Sequence, residues 1–167
     1  ETKVNTNQVV LSLPESQIFT RVIEMPVMSE KELASAIKFE CEQYIPRPIN
    51  EVSLRWQILN KGDKETNKKM EILLVAAPLN FIEKYMEIME RAELKAVAME
   101  TDLLAQARSL VGNNPYSPTT MIISIGSTST DLSIMRSGMV SFTRSIASGG
   151  NVLSRSIASD LALEFEQ

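Results

Sequence analysis

The segment Gly112–Pro118, GNNPYSP, constrains this chain most, because two prolines, two asparagines and a glycine within it break every helical or strand pattern. It separates a long unit from a second one of about fifty residues, too small to close a core alone by the usual scaling of surface with size. The second unit is therefore expected to be the beginning of something larger. With Glu1 in place of an initiator Met and a last helical pattern running to Gln167, the sequence is expected to be a piece of a longer protein.

Before the break, Gln8–Leu13 and Ile18–Met25 read as two strands around a Pro14–Gln17 turn, and their proximity predicts an opening hairpin. Ser29 with Glu32 three residues on is a capping box, and Leu33, Ala34, Ile37, Cys41, Tyr44 and Ile45 follow on one helical face. Pro46 and Pro48 end that helix. Val52, Leu54, Trp56 and Ile58 alternate with polar residues as in a half-wet strand, which predicts a core position for Trp56. A charged turn, 60–69, leads into the apolar run Met70–Ala77, an interior strand completing a hairpin. After Pro78 a second helix carries Phe81, Ile82, Tyr85, Ile88, Met89 and Ala92. Lys95–Met99 is a short strand, and Thr101 is expected to cap a third helix. This order predicts a split βαβ layer, with two helices on one face of a mixed sheet.

After the break come strands over Met121–Ile125, Asp131–Arg136 and Met139–Ser145, with a tight turn at Ser137–Gly138. A helix capped by Asn151 follows, its stripe formed by Leu153, Ile157, Leu161 and Phe165. The fold class is α+β.

Absences narrow the chemistry. Without histidine there is no imidazole base, triad or His-ligated zinc, and a single cysteine excludes internal disulfides and thiolate clusters and suits a reducing compartment. A net charge of −4 and a pI near 5.0 argue against nucleic acid as a ligand. No apolar run is long enough to span a membrane as a helix, so a membrane link is expected only through partners. What remains is carboxylate, hydroxyl, backbone-amide and lysine chemistry, the set of magnesium-assisted phosphate sites. One stretch suits it, 124–131, SIGSTSTD. A glycine at a strand end admits an anion to the backbone, successive N–H groups form a nest, the hydroxyls of Ser127, Thr128, Ser129 and Thr130 add donors, and Asp131 suits a water-bridged magnesium. Gly, Ser and Thr are equally ordinary turn residues with Asp131 opening the next strand, and spacing alone favours that plainer reading.

Several stretches carry a resemblance: Ser12–Ser16 (SLPES) with Phe19–Arg21 and Ile23–Pro26, Ser29–Leu33 running to Glu42–Pro46, Leu74–Pro78, Glu100–Thr101, Ile125–Leu132, Phe142–Ile146 and Gly149–Gly150. In these the chain resembles the PilM family of actin-like type IV pilus assembly proteins, and more distantly FtsA of cell division. The resemblance implies a partial actin-like ATPase fold of the ribonuclease H kind. Residues 1–98 would be an inserted SHS2-like subdomain 1C of βαββαβ order, 99–118 a connecting helix of subdomain 1A with its linker, and 119–167 the start of subdomain 2A. Gly126, Ser127, Thr128, Ser129, Thr130, Gly149 and Gly150 would then contact ATP phosphates, with Asp131 toward Mg2+.

In the family an acidic residue usually precedes the Ile-Gly step, and here Ser124 stands there. A neutral hydroxyl holds a hard cation more weakly than a carboxylate, so nucleotide binding is expected to outlast hydrolysis, which is at most weak. Only one phosphate hairpin is present, so these residues alone are expected to hold no nucleotide. The implied role is a cytoplasmic scaffold, peripheral at the inner membrane. Its partners would be a PilN-like cytoplasmic peptide lying between subdomains 1A and 1C, with other platform proteins and motor ATPases beyond.

Two alternatives differ in class. An FtsA-like division protein is distinguished by a C-terminal amphipathic targeting helix, and a free-standing regulatory domain by ligand binding within residues 1–111. The cut-short second unit is expected to drive dimerisation or segment exchange. Cys41 reads as a small core hydrophobe, the 61–69 lysines as a solvated face, and Met25 and Met28 as the methionines most suited to a binding surface.

Overall fold

The computed structural model describes residues 4–112 and 114–165, and the chain divides into two units after Asp102. In the first, β1 (Gln8–Leu13) lies parallel to β5 (Lys95–Thr101), pairing Leu13 with Thr101. The predicted opening hairpin does not form. The second strand, β2 (Phe19–Met25), leaves β1 through a turn of 3₁₀ helix at Glu15–Gln17 and joins a different sheet. There β4 (Met70–Pro78) is central, antiparallel to β2 on one side and to β3 (Val52–Asn60) on the other. One mixed sheet is thus replaced by a parallel pair and an antiparallel triplet. The central place of β4 explains its near-continuous apolar sequence, since both its edges and most of its side chains are buried.

Helix α1 (Glu30–Cys41) starts at the predicted capping box. Ser29 N–H donates to Glu32 Oε2 at 2.8 Å and Glu32 N–H to Ser29 Oγ at 3.3 Å, an arrangement that contributes about 1 kcal/mol. The backbone and hydroxyl bonds from Ser29 hold the Glu32 carboxyl below its usual range, so this cap is complete above the ordinary glutamate pKa and weakens as pH falls through the lowered one. Leu33, Ile37 and Cys41 are buried against Ile23, Ile72 and Leu74 of the triplet, while Ala34 is exposed. Burial pushes the Cys41 thiol up to about 11, with the Glu40 charge adding to it, as befits a core hydrophobe. Met25 belongs to this core and Met28 packs against it, which removes Met25 from the expected binding surface.

Trp56 is 38% exposed, contrary to its predicted core position. It shares the alternation of Val52 and Leu54, but β3 is an edge strand with no strand beyond it. Helix α2 (Leu79–Arg91) has the predicted apolar stripe, yet none of its residues is fully buried, and Ile88 is exposed. Among the described helices, α1 is the one whose buried residues belong to the triplet's core.

In the second unit α3 (Asp102–Leu110) follows directly on Thr101, the buried last residue of β5. The irregular segment Gly112–Pro118 comes next, inside the second unit rather than at the division, which falls ten residues earlier, after Asp102; Asn113 and the terminal Glu166 and Gln167 lie outside the described residues. Strands β6 (Thr120–Ile125), β7 (Thr130–Arg136) and β8 (Met139–Ile146) form an antiparallel meander. Ser137 and Gly138 both take positive φ, the tight hairpin turn that suits the strand twist. One sheet face packs Ile122, Met135 and Val140 against Ala107 of α3. The opposite face leaves Met121, Ile123, Ile125, Phe142 and Ile146 exposed. Helix α4 (Gly150–Asp160) starts at Gly149 rather than at the predicted Asn151 and ends short of Gln167, with Leu153, Ile157 and Leu161 exposed. Among the described residues no helix is long and apolar enough to cross a membrane.

Candidate functional site

The hydroxyl-rich stretch forms the tip joining β6 to β7. Gly126 N–H donates to Ser129 O at 2.8 Å and closes the turn, leaving Gly126, Ser127 and Thr128 exposed. No partner among the described residues takes the N–H groups of Ser127 and Thr128, so two backbone donors and two hydroxyls face solvent. Thr130 Oγ1 donates to Ser148 O at 2.7 Å, tying the turn to the loop that feeds α4.

The two glycines named with this turn lie against it. Gly150 N–H donates to Gly126 O and Asn151 N–H to Ser127 O, each at 2.9 Å. The turn's carbonyls thus satisfy two of the orphan donors at the start of α4, which explains why no side chain caps that helix. A Cβ on Gly149 would sit 2.5 Å from Gly126 O and 2.8 Å from Ser127 O, so glycine is needed here for close backbone approach. Gly150 has no such crowding, the nearest atom being 3.6 Å away. All seven residues expected around a phosphate, Gly126 to Thr130 with Gly149 and Gly150, are therefore brought together. The N–H of Gly150 is committed to the turn.

Asp131 is the first inward residue of β7, opposite Ser124 of β6 and Ser145 of β8. It is 7% exposed. Ser129 Oγ donates to its Oδ2 at 3.1 Å, while Oδ1 is buried without a partner, as are Ser133 Oγ and Ser145 Oγ. A row of buried, underused oxygens thus runs beneath the turn, as expected where water or an ion completes the bonding. No group of three acidic, His or Cys side chains gathers among the described residues. Gln106 is the residue that sequence reasoning missed. Its Nε2 approaches Ser124 Oγ at 3.5 Å from α3, placing an amide beside the residue where the resemblance leads one to expect an acid. The available signal was a lone amide beside Leu103 and Ala107 in an otherwise apolar helical stripe.

The family model described as type IV pilus assembly protein PilM matches residues 1–167. The chain belongs to the PilM family. Its fold matches a solved PilM-PilN type IV pilus biogenesis complex with a TM-score of 0.78 at 24% identity, covering 97% of this chain and 49% of that one. The cytoplasmic domain of EpsL, an inner-membrane component of the Vibrio cholerae type II secretion system, matches with a TM-score of 0.58 at 14% identity, over 96% of this chain and 58% of that one. This PilM-family chain thus spans about half the length of the solved relatives it matches. Its fold is α+β, shared with the solved PilM over nearly the whole of this chain.

Proposed function

We propose that this chain supplies one phosphate hairpin of an ATP-binding PilM-type scaffold and captures a PilN-like cytoplasmic peptide, which would hold it at the cytoplasmic side of the inner membrane. The observation that carries the peptide assignment is a crevice of about 250 Å3 at the end of the antiparallel triplet. Phe19, Ile45, Val52 and Ala76 give it an apolar floor, and Arg47 and Gln17 stand at its rim. A small apolar cleft with few polar groups suits one or two side chains of an extended peptide. The fold match to PilM solved with PilN supports the choice of partner.

The test is titration of the cytoplasmic tail peptide of the PilN-type partner. Ser16→Trp fills the crevice from an exposed rim position and is expected to weaken binding at least about tenfold, about 1.4 kcal/mol, without moving the thermal midpoint. Unchanged affinity in that variant removes the crevice from the reading.

The nucleotide half rests on the turn's donor set, which fits a phosphate. Ser127 and Thr128 offer free N–H groups and hydroxyls, Gly126 adds no side chain, and Asp131 keeps an unpartnered oxygen. A single carboxylate suits magnesium that keeps most of its waters and takes its other ligands from phosphate. When bound, Mg-ATP would supply a phosphoanhydride and a divalent charge. The chain's own residues orient the phosphates and fix α4 against them. Partnership with other platform proteins and motor ATPases belongs to the same reading of the whole protein.

Self-association is the second part of the proposal. Met121, Ile123, Ile125, Phe142 and Ile146 on one face of the meander and Leu153, Ile157 and Leu161 on α4 are exposed, apolar surface of the kind that attracts a partner. The mass measured by light scattering is expected to rise with concentration. A concentration-independent monomer would count against it.

A further inference from the structure

The tip between β3 and β4, residues 61–69, carries four lysines against two acids in a chain of net charge −4. Its backbone is defined rather than loose. Gly62 takes φ +67°, and Asp63 and Lys68 exchange N–H···O bonds of 2.7 and 2.8 Å. The Asp63 carboxylate is turned into its own loop, accepting from Glu65 N–H at 2.9 Å and Thr66 Oγ1 at 3.0 Å. Those bonds hold its pKa down and keep it ionised, so the tip has four lysines against two acids and a net charge of +2. Lys69 pairs with Glu24 at 3.6 Å, whereas no ion pair engages Lys61, Lys64 or Lys68 among the described residues.

Beside the tip lies a crevice of about 280 Å3, lined by Lys64, Lys68, Lys69, Asn67 and Asp63 with Pro26 and Val27. Three lysines and an asparagine thus outnumber the one acid in its lining. Lys64 also lies close enough to Glu32 to help lower that carboxyl. We propose that this hairpin tip is a phosphate-binding surface that rests on the headgroups of anionic lipid. The geometry suits that ligand over an extended acidic chain. The crevice is small, its lysines present point charges, and Lys61, Lys64 and Lys68 sit on one exposed turn that can meet a flat charged surface. It would give the chain a direct membrane contact in addition to one made through a partner, and it does not rest on the nucleotide or peptide assignments.

The experiment is flotation of the chain with vesicles of phosphatidylcholine containing about 30 mol% phosphatidylglycerol, at low salt and at about 0.5 M salt. Binding is expected at low salt, lost at high salt and absent with phosphatidylcholine alone. Lys64→Gln/Lys68→Gln is expected to weaken it about twenty-five-fold, about fivefold for each lysine. Lys84→Gln/Lys95→Gln, removing the same charge from α2 and β5, should cost much less. Equal losses in the two pairs, binding to neutral vesicles, or no binding at low salt overturns the proposal. Calorimetric binding of inorganic phosphate, abolished by Lys64→Gln/Lys68→Gln in a chain that does not float, assigns the crevice to free phosphate and overturns the lipid assignment.

Discussion

Gly149→Ala is expected to strip the amide protons of Gly150 and Asn151 of their hydrogen-exchange protection by a factor of about thirty to several hundred. The backbone at Gly149 is extended and open to alanine, with φ −143° and ψ −164°, so conformation contributes nothing. The cost is steric. A Cβ would meet the carbonyl of Gly126 at 2.5 Å and the carbonyl carbon and oxygen of Ser127 at 2.8 Å, and backbone atoms cannot swing aside as a side chain does. Parting the two segments also breaks both N–H···O bonds that join the turn to α4. Overpacking and the lost bonds together amount to about 2–4 kcal/mol, which sets the expected loss of protection. Gly150→Ala is the internal control. Its Cβ meets nothing closer than 3.6 Å, and alanine is the better helix former, so protection should hold or rise slightly. Equal effects from the two substitutions would mean that close approach is not what the first glycine provides.

The same glycine pair shows where the sequence can be read and where it cannot. The pattern Gly149-Gly150-Asn151 pointed to a helix start, and propensity favoured Asn151 as its cap. What decided the start was the turn at Gly126 and Ser127, more than twenty residues earlier, whose carbonyls serve as the cap. The opening strands fail in the same way. Both were legible in their own residues, and β1 runs over Gln8–Leu13 as predicted, but its partner begins at Lys95, and no local residue records that pairing. Features complete within a few residues were legible, as with the Ser29 box and the Ser137–Gly138 turn. At the site, sequence named the turn residues and Asp131, because glycine and hydroxyls carry their chemistry locally. Gln106 lies on another element, and only the fold brings it to Ser124.

Ser124→Asp is expected to destabilise the metal-free chain at neutral pH and to make its stability respond to magnesium. Ser124 stands directly opposite Asp131, which is almost fully buried and has one oxygen unpartnered. A second carboxylate there faces a like charge across adjacent strands, an unfavourable pair that raises one pKa above its unfolded value. A carboxyl so raised costs nothing below the unfolded pKa, and its penalty grows as pH rises through the folded one. Stability relative to the unsubstituted chain should therefore be unchanged near pH 3 and lower by about 1–3 kcal/mol at pH 7, measured by urea unfolding. Millimolar Mg2+ should recover most of that loss in the variant and do little to the parent, because two facing carboxylates offer a hard cation what a hydroxyl beside one does not. Within the longer protein the same substitution should raise magnesium-dependent ATP turnover while ATP affinity stays within about tenfold, since the backbone donors of Ser127 and Thr128 are untouched. A variant as stable as its parent at pH 7, indifferent to Mg2+ and no faster with ATP, would show that residue 124 does not face the metal and that this turn serves only to hold α4.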